Sequence, residues 1–139
     1  MKPSNLRRRI DLYKELEQVV DKGKNEEIKP SCVLKKGDNL YCVDFFLPKG
    51  CTALKMPNRT VIEVKSSTLF DTVYRQKKRY EELSGLKGGI NRYILALEEL
   101  NEYAPKPVRP RSKTGFGVVT IGGLMNDIKA SVQGQKIHE

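Results

Sequence analysis

No stretch of this chain approaches the ~20 consecutive apolar residues that a membrane-spanning helix requires, so insertion into a bilayer as a helix is excluded. Histidine is almost absent. His138 is the only one and sits in the polar tail QGQKIHE, which leaves a His-based acid–base or nucleophilic mechanism without a candidate. Cysteine is scarce and odd in number: Cys32, Cys42 and Cys51 form no CxxC pair and accompany no His cluster. Neither a disulfide framework nor a structural zinc site is therefore predicted, and a reducing cytoplasm suits three free thiols. The N-terminal MKPSNLRRRIDLYKEL lacks the unbroken apolar segment of a secretory signal, and its acidic residues argue against a transit peptide. Gly85, Gly88 and Gly89 in SGLKGG read as a helix stop and turn, because no strand and helix flank them in the order that a phosphate-cradling loop needs. Internal repeats and low-complexity tracts are absent too.

Acidic residues are in deficit, 17 against 26 Lys and Arg, for a formal charge of +9. A surplus of that size favours polyanionic partners, since basic side chains release the counterions condensed on phosphates. The cations fall in three runs: Arg7 to Arg9, Arg75 to Arg79 (RQKKR), and the Pro-rich PKPVRPRSKTG from Pro105 to Gly115. Each alone could be a solvated surface; together they make nucleic acid the first partner to consider, DNA before RNA. The 139 residues, 15.8 kDa, suit a single domain spanning 1–139 with a real core.

Apolar spacing predicts a first helix from Ser4 to about Val20, with Ser4 or Asn5 as N-cap and Gly23 to end it. DKGKNEEIKPS reads as a loop and Asn39 to Pro48 as the first strand. A short strand or loop through CTALKM leads to a second long strand, Thr60 to Ser67, antiparallel to the first. Helical periodicity returns from Leu69 to Leu83. NRYILAL reads as a buried strand to about Leu97 with a helical turn after it, APKPVRPRSKTG as an exposed loop, FGVVTIGG as a last strand, and LMNDIKASV as a short terminal helix. The order, α-β-(β)-β-α-β-β with a terminal helix, predicts an α/β fold with a central mixed sheet.

The strand TVIEVKSS carries Glu63 and Lys65 on one face, because side chains alternate along a strand with a period of two. Such tripeptides are cheap: Glu27-Ile28-Lys29 and Asp127-Ile128-Lys129 repeat the pattern. What distinguishes the middle one is Asp44 on the preceding strand, an acid among Val43, Phe45 and Phe46, and Glu17 on the first helix. An acid in such surroundings is costly unless paired or metal-bound, so its removal is expected to raise stability. Two carboxylates on adjacent strands can converge on one hard cation such as Mg²⁺, with Lys65 beside them to position or deprotonate water or to neutralise charge on a phosphate. The plain alternative is a cross-strand ion pair on a wet face, with Asp44 paired to Arg59 or Lys65.

Asp44, then Glu63-Val64-Lys65 after a turn, resembles the core of the PD-(D/E)xK nuclease superfamily, and Gln76 and Tyr80 in QKKRY resemble the QxxxY helix of its RecB-like and Cas4-like members. Leu69, Val73, Gln76 and Tyr80 share one arc of that helix, which turns the glutamine toward the core and leaves the lysines outside. Val43 stands where the family often has proline, and the cysteines lack the placement of a Cas4-like iron–sulfur cluster. The resemblance implies a restriction-endonuclease-like core of order α-β-β-β-α-β. It also implies a metal-dependent endonuclease hydrolysing phosphodiester bonds of DNA, with Mg²⁺ or Mn²⁺ held by Asp44, Glu63 and the Val64 carbonyl. Glu15 and Glu17 compete for the helix-one acid, and Glu17 lies closer to the inward arc. Lys65 would act on the water, with Gln76 and Tyr80 orienting the lysine or a phosphate. Arg75, Lys77, Lys78, Lys106, Arg109, Arg111 and Lys113 are the expected nucleic-acid contacts. An effector domain of a prokaryotic restriction or anti-phage defence system, alone, as a homo-oligomer or within a longer protein, is the expected setting. A non-catalytic nucleic-acid-binding module with a basic loop is the alternative.

Overall fold

Leu12, Leu16 and Val19 form one apolar stripe on helix α1, Pro3–Val19, and all three are fully buried. In the computed structural model, which describes residues 3–66, 70–85, 88–99 and 115–137, that stripe packs on a five-stranded sheet. The strands are β1 (Lys29–Lys36), β2 (Asn39–Leu47), β3 (Thr60–Lys65), β4 (Arg92–Leu97) and β5 (Gly115–Thr120), paired in that spatial order. The β1–β2 and β2–β3 pairs are antiparallel, whereas β3, β4 and β5 are mutually parallel. Helix α2, Phe70–Ser84, joins β3 to β4, and helix α3, Ile121–Ile137, follows β5. The protein is thus α/β with a mixed sheet, and its first six elements run α-β-β-β-α-β. Among the described residues no helix is long and apolar enough to cross a membrane.

Both faces of the sheet are covered. Phe45, Ile62, Val64, Ile94 and Ala96 meet α1 and α3, while Val61, Tyr93, Leu95 and Val118 meet α2 through Val73 and Leu83. Every residue of β4 is buried, as expected for a central parallel strand.

Several expectations need correction. The predicted loop before Asn39 contains a whole strand, β1, joined to β2 by a two-residue turn at Gly37-Asp38 in which Gly37 has φ 57°. Of the two readings of CTALKM, strand or loop, the loop holds: Thr52–Leu54 form one 3-10 turn, closed by a bridge between Cys51 and Met56. Ser4 and Asn5 lie inside α1 instead of capping it, and the chain after Val19 enters a second 3-10 turn, Lys22–Lys24, that Asp21 caps by accepting the Gly23 N–H. Ile121-Gly122-Gly123 begin α3 instead of extending β5. The Thr120 hydroxyl accepts the Gly123 N–H at 3.0 Å, an N-cap bond that a serine or threonine supplies well.

One buried acid outside the predicted set holds the β2–β3 connection to α1's end. Glu26, 3% exposed, accepts the Asp21 N–H and both the N–H and hydroxyl of Thr52. Burial pushes its carboxyl up, but these hydrogen bonds outweigh that and leave it below the ordinary range. At the start of the same connection Gly50 turns back with φ 68°, and a side chain there would run into the carbonyl oxygens of Met56 and Pro57.

Candidate active site

The antiparallel ladder between β2 and β3 extends from Leu47–Thr60 to Phe45–Ile62, and at the next position carboxylates take over the bonding. The Asp44 N–H donates to Glu63 Oε1 at 2.7 Å, and the Val64 N–H donates to Asp44 Oδ2 at 2.8 Å. The two strands therefore fork with Asp44 and Glu63 across the gap. In an extended strand the N–H and C=O of one residue point to the same side, so the Val64 carbonyl also faces the fork.

Glu63 is 1% exposed, while the Lys65 side chain, two residues on and on the same face, is 37% exposed with Nζ 3.6 Å from Glu63 Oε2. Burial, and then the charge of Asp44, push the Glu63 carboxyl up from an ordinary 4.5 to about 7, against the opposing pull of the Asp44 N–H, Lys65 and Arg79. Two acids held this close favour a positive charge between them.

A pH dependence follows. The folded protein holds the Glu63 proton more tightly than the unfolded chain does, so this residue's contribution to stability is fully present below pH 4.5 and is lost as pH rises through 7. The loss should be on the order of 3 kcal/mol in metal-free buffer. Urea unfolding between pH 4.5 and 8 is expected to show it, and Glu63→Gln to flatten the profile; an equal slope in the variant would assign it to other groups.

Asp44 is paired, but neither with Arg59 nor with Lys65. Arg9 Nε lies 3.4 Å from Asp44 Oδ1, while Arg59 stacks on Phe46 and donates to the Gly89 carbonyl. Arg8, one residue earlier, forms an ion pair with Glu98 beyond β4. Helix α2 presents Val73, Gln76 and Leu83 inward and Arg75, Lys77 and Lys78 to solvent, as its periodicity predicts. Gln76 Oε1 accepts the Tyr93 hydroxyl; burial raises that phenol's pKa, as does the neighbouring Glu63. Tyr80 packs edge-on to the Tyr93 ring and against Phe116. Gln76 and Tyr80 thus meet at Tyr93, whose hydroxyl senses the charge of the two acids.

Glu17 does not join Asp44 and Glu63. It pairs with Lys22 at 3.3 Å and interacts with the Tyr13 hydroxyl, and no group of three or more His, Cys, Asp or Glu side chains suited to a metal ion occurs among the described residues. Lys106, Arg109, Arg111 and Lys113, like Leu69 and His138, lie outside the described residues. Two site residues escaped the sequence reading. Tyr93 is hidden in the apolar run RYILAL, where nothing singles it out. Arg9 belongs to a basic run that looks solvated, and only its position at a half-buried turn of α1 shows otherwise.

No family model and no curated protein matches the chain. Among solved structures, protein VC1899 from Vibrio cholerae is similar in fold, with a TM-score of 0.52 at 14% identity, over 92% of this chain and 33% of that one. The chain thus spans about a third of the length of that relative, and the likeness concerns the fold alone.

Proposed function

We propose that the protein is a metal-dependent nuclease of restriction-endonuclease-like fold that hydrolyses phosphodiester bonds in DNA. The observation that carries this reading is the fork: Asp44 and Glu63 cross-bonded at the split between β2 and β3, with Lys65 on the Glu63 carboxylate. The element order α-β-β-β-α-β supports it. The donor set fits Mg²⁺ or Mn²⁺: two carboxylates and the Val64 carbonyl are hard oxygen ligands, and two negative charges held side by side would be relieved by a divalent cation. Such an ion would supply Lewis-acid stabilisation of a phosphate and lower the pKa of its water.

The chain's own residues do the rest. Lys65, at the rim, positions or deprotonates the attacking water and neutralises charge developing on the phosphate. Tyr93 donates to the Gln76 carbonyl oxygen, which turns the amide NH₂ into a donor for a phosphate oxygen. Arg75, Lys77 and Lys78 on the outer face of α2 offer backbone contacts that position a nucleic acid without reading its sequence. The setting we favour is the effector of a prokaryotic restriction or anti-phage system, since the described fold is little more than the sheet and its three helices.

Incubation with plasmid and Mg²⁺ or Mn²⁺, with and without chelator, tests the reading. Cleavage that needs the metal and is lost in Glu63→Gln is the expected result. Plasmid that is bound but never cut, under any of these metals, would favour a non-catalytic binding module, for which the two-acid site without Glu17 is the supporting observation.

A further inference from the structure

Arg9 sits in the basic run of α1, yet its guanidinium is turned inward. Its Nε is 3.4 Å from Asp44 Oδ1, its Nη2 donates to Ser31 Oγ at 3.0 Å, and its side chain and that of Asp44 are each 14% exposed. Ser31 has φ 48°, a left-handed conformation that residues other than glycine seldom adopt without a compensating contact. It lies between the Pro30–Phe45 and Cys32–Val43 rungs, opposite Asp44, so the distortion of β1 occurs where Arg9 docks. The guanidinium of a helix residue thus bridges a distorted edge strand and one oxygen of the acid at the fork.

We propose, resting on the metal-dependent reading above, that Arg9 is a built-in counter-ion of Asp44 that competes with the divalent cation until a substrate phosphate draws it away. Arginine keeps its charge at any relevant pH, and a fixed cation beside a shared carboxylate repels a second one across a half-buried gap where water screens weakly. A phosphate offers the guanidinium a two-point, charge-assisted contact. Access exists: Arg9 lines an open groove together with Leu6, Ile10, Tyr13, Lys14 and Pro30, and Lys14 adds positive charge to that groove. Nucleic acid and metal would then each raise the other's affinity by the same factor, so that the metal site completes itself on substrate.

Mn²⁺ titration of the full chain, read from the spectrum of the free ion, tests this with and without a cleavage-resistant phosphorothioate oligodeoxynucleotide. Arg9→Gln is expected to bind Mn²⁺ ~10-fold more tightly than wild type without the oligonucleotide. Arg9→Lys, which keeps the charge, should stay near wild type. The oligonucleotide should tighten Mn²⁺ binding to wild type by a larger factor than it tightens binding to Arg9→Gln. Ser31→Gly removes the hydroxyl anchor while suiting the backbone, so it should fold and shift affinity the same way by a smaller factor. Equal Mn²⁺ affinity in wild type, Arg9→Gln and Ser31→Gly, with none in Asp44→Asn, overturns the counter-ion role and leaves the metal site standing. No Mn²⁺ binding by any of these proteins overturns both.

Discussion

Lys65→Ala is expected to lower the rate of DNA cleavage by ~10³-fold, within the range for loss of a general acid–base group, while DNA affinity stays close to wild type. The lysine lies at the rim of the fork with Nζ 3.6 Å from the Glu63 carboxylate, close enough to act on a water there, and it is one of 26 Lys and Arg residues available to hold a polyanion. Its stability cost should be ~1 kcal/mol or less, as for partly exposed ion pairs. Single-turnover cleavage alongside binding at several salt concentrations separates the two effects, and wild-type turnover by the variant would remove the proposed role of Lys65.

Asp44 separates charge from architecture. Asp44→Asn keeps an oxygen to accept the Val64 N–H and removes the charge that raises the Glu63 pKa, which offsets the loss of the ion pair with Arg9, so it should melt near wild type. Asp44→Ala removes the acceptor as well and leaves Val64 N–H and Arg9 without that carboxylate, an expected loss of ~1–3 kcal/mol. The stabilisation that an unpaired buried acid would predict for its removal is therefore reversed in the alanine variant, because this acid is paired. Both variants should lose divalent-ion binding by calorimetry and all cleavage. Unchanged Mg²⁺ or Mn²⁺ affinity in either would move the metal away from the fork.

The elements legible in sequence were those whose two faces or one stripe are buried. β3, β4, α1 and α2 announce themselves because Val61, Ile62, Val64, Ile94, Leu12, Leu16 and Val73 all enter the core. β1 did not, since Lys29, Ser31, Val33 and Lys35 are exposed along an edge and Pro30 argues against a strand; the usable signal was the Gly37-Asp38 pair, a hairpin turn between two extended runs. Glu63 and Lys65 were legible from the strand period and Asp44 from its apolar neighbours, and the structure brings the three together. The partners that govern them were not, because Arg9 and Tyr93 come from elements remote in sequence, and no local pattern distinguishes an inward-turned arginine from its solvated neighbours. Glu17 shows the converse: its place on the helical arc is near the inward side, yet Tyr13 and Lys22 hold it at the surface.

The turn at Gly50 has a consequence for how this gene tolerates mutation. The connection from β2 to β3 sets the offset at which Asp44 meets Glu63, and its return is possible only because no side chain stands between Gly50 and the carbonyls of Met56 and Pro57. Any replacement there, even alanine, displaces one strand against the other, and a slip of a single residue along the strand turns every side chain to the opposite face. A random-mutagenesis screen for lost activity would then recover Gly50 beside the acids themselves, an inert atom-poor position as intolerant as the chemistry it keeps in register.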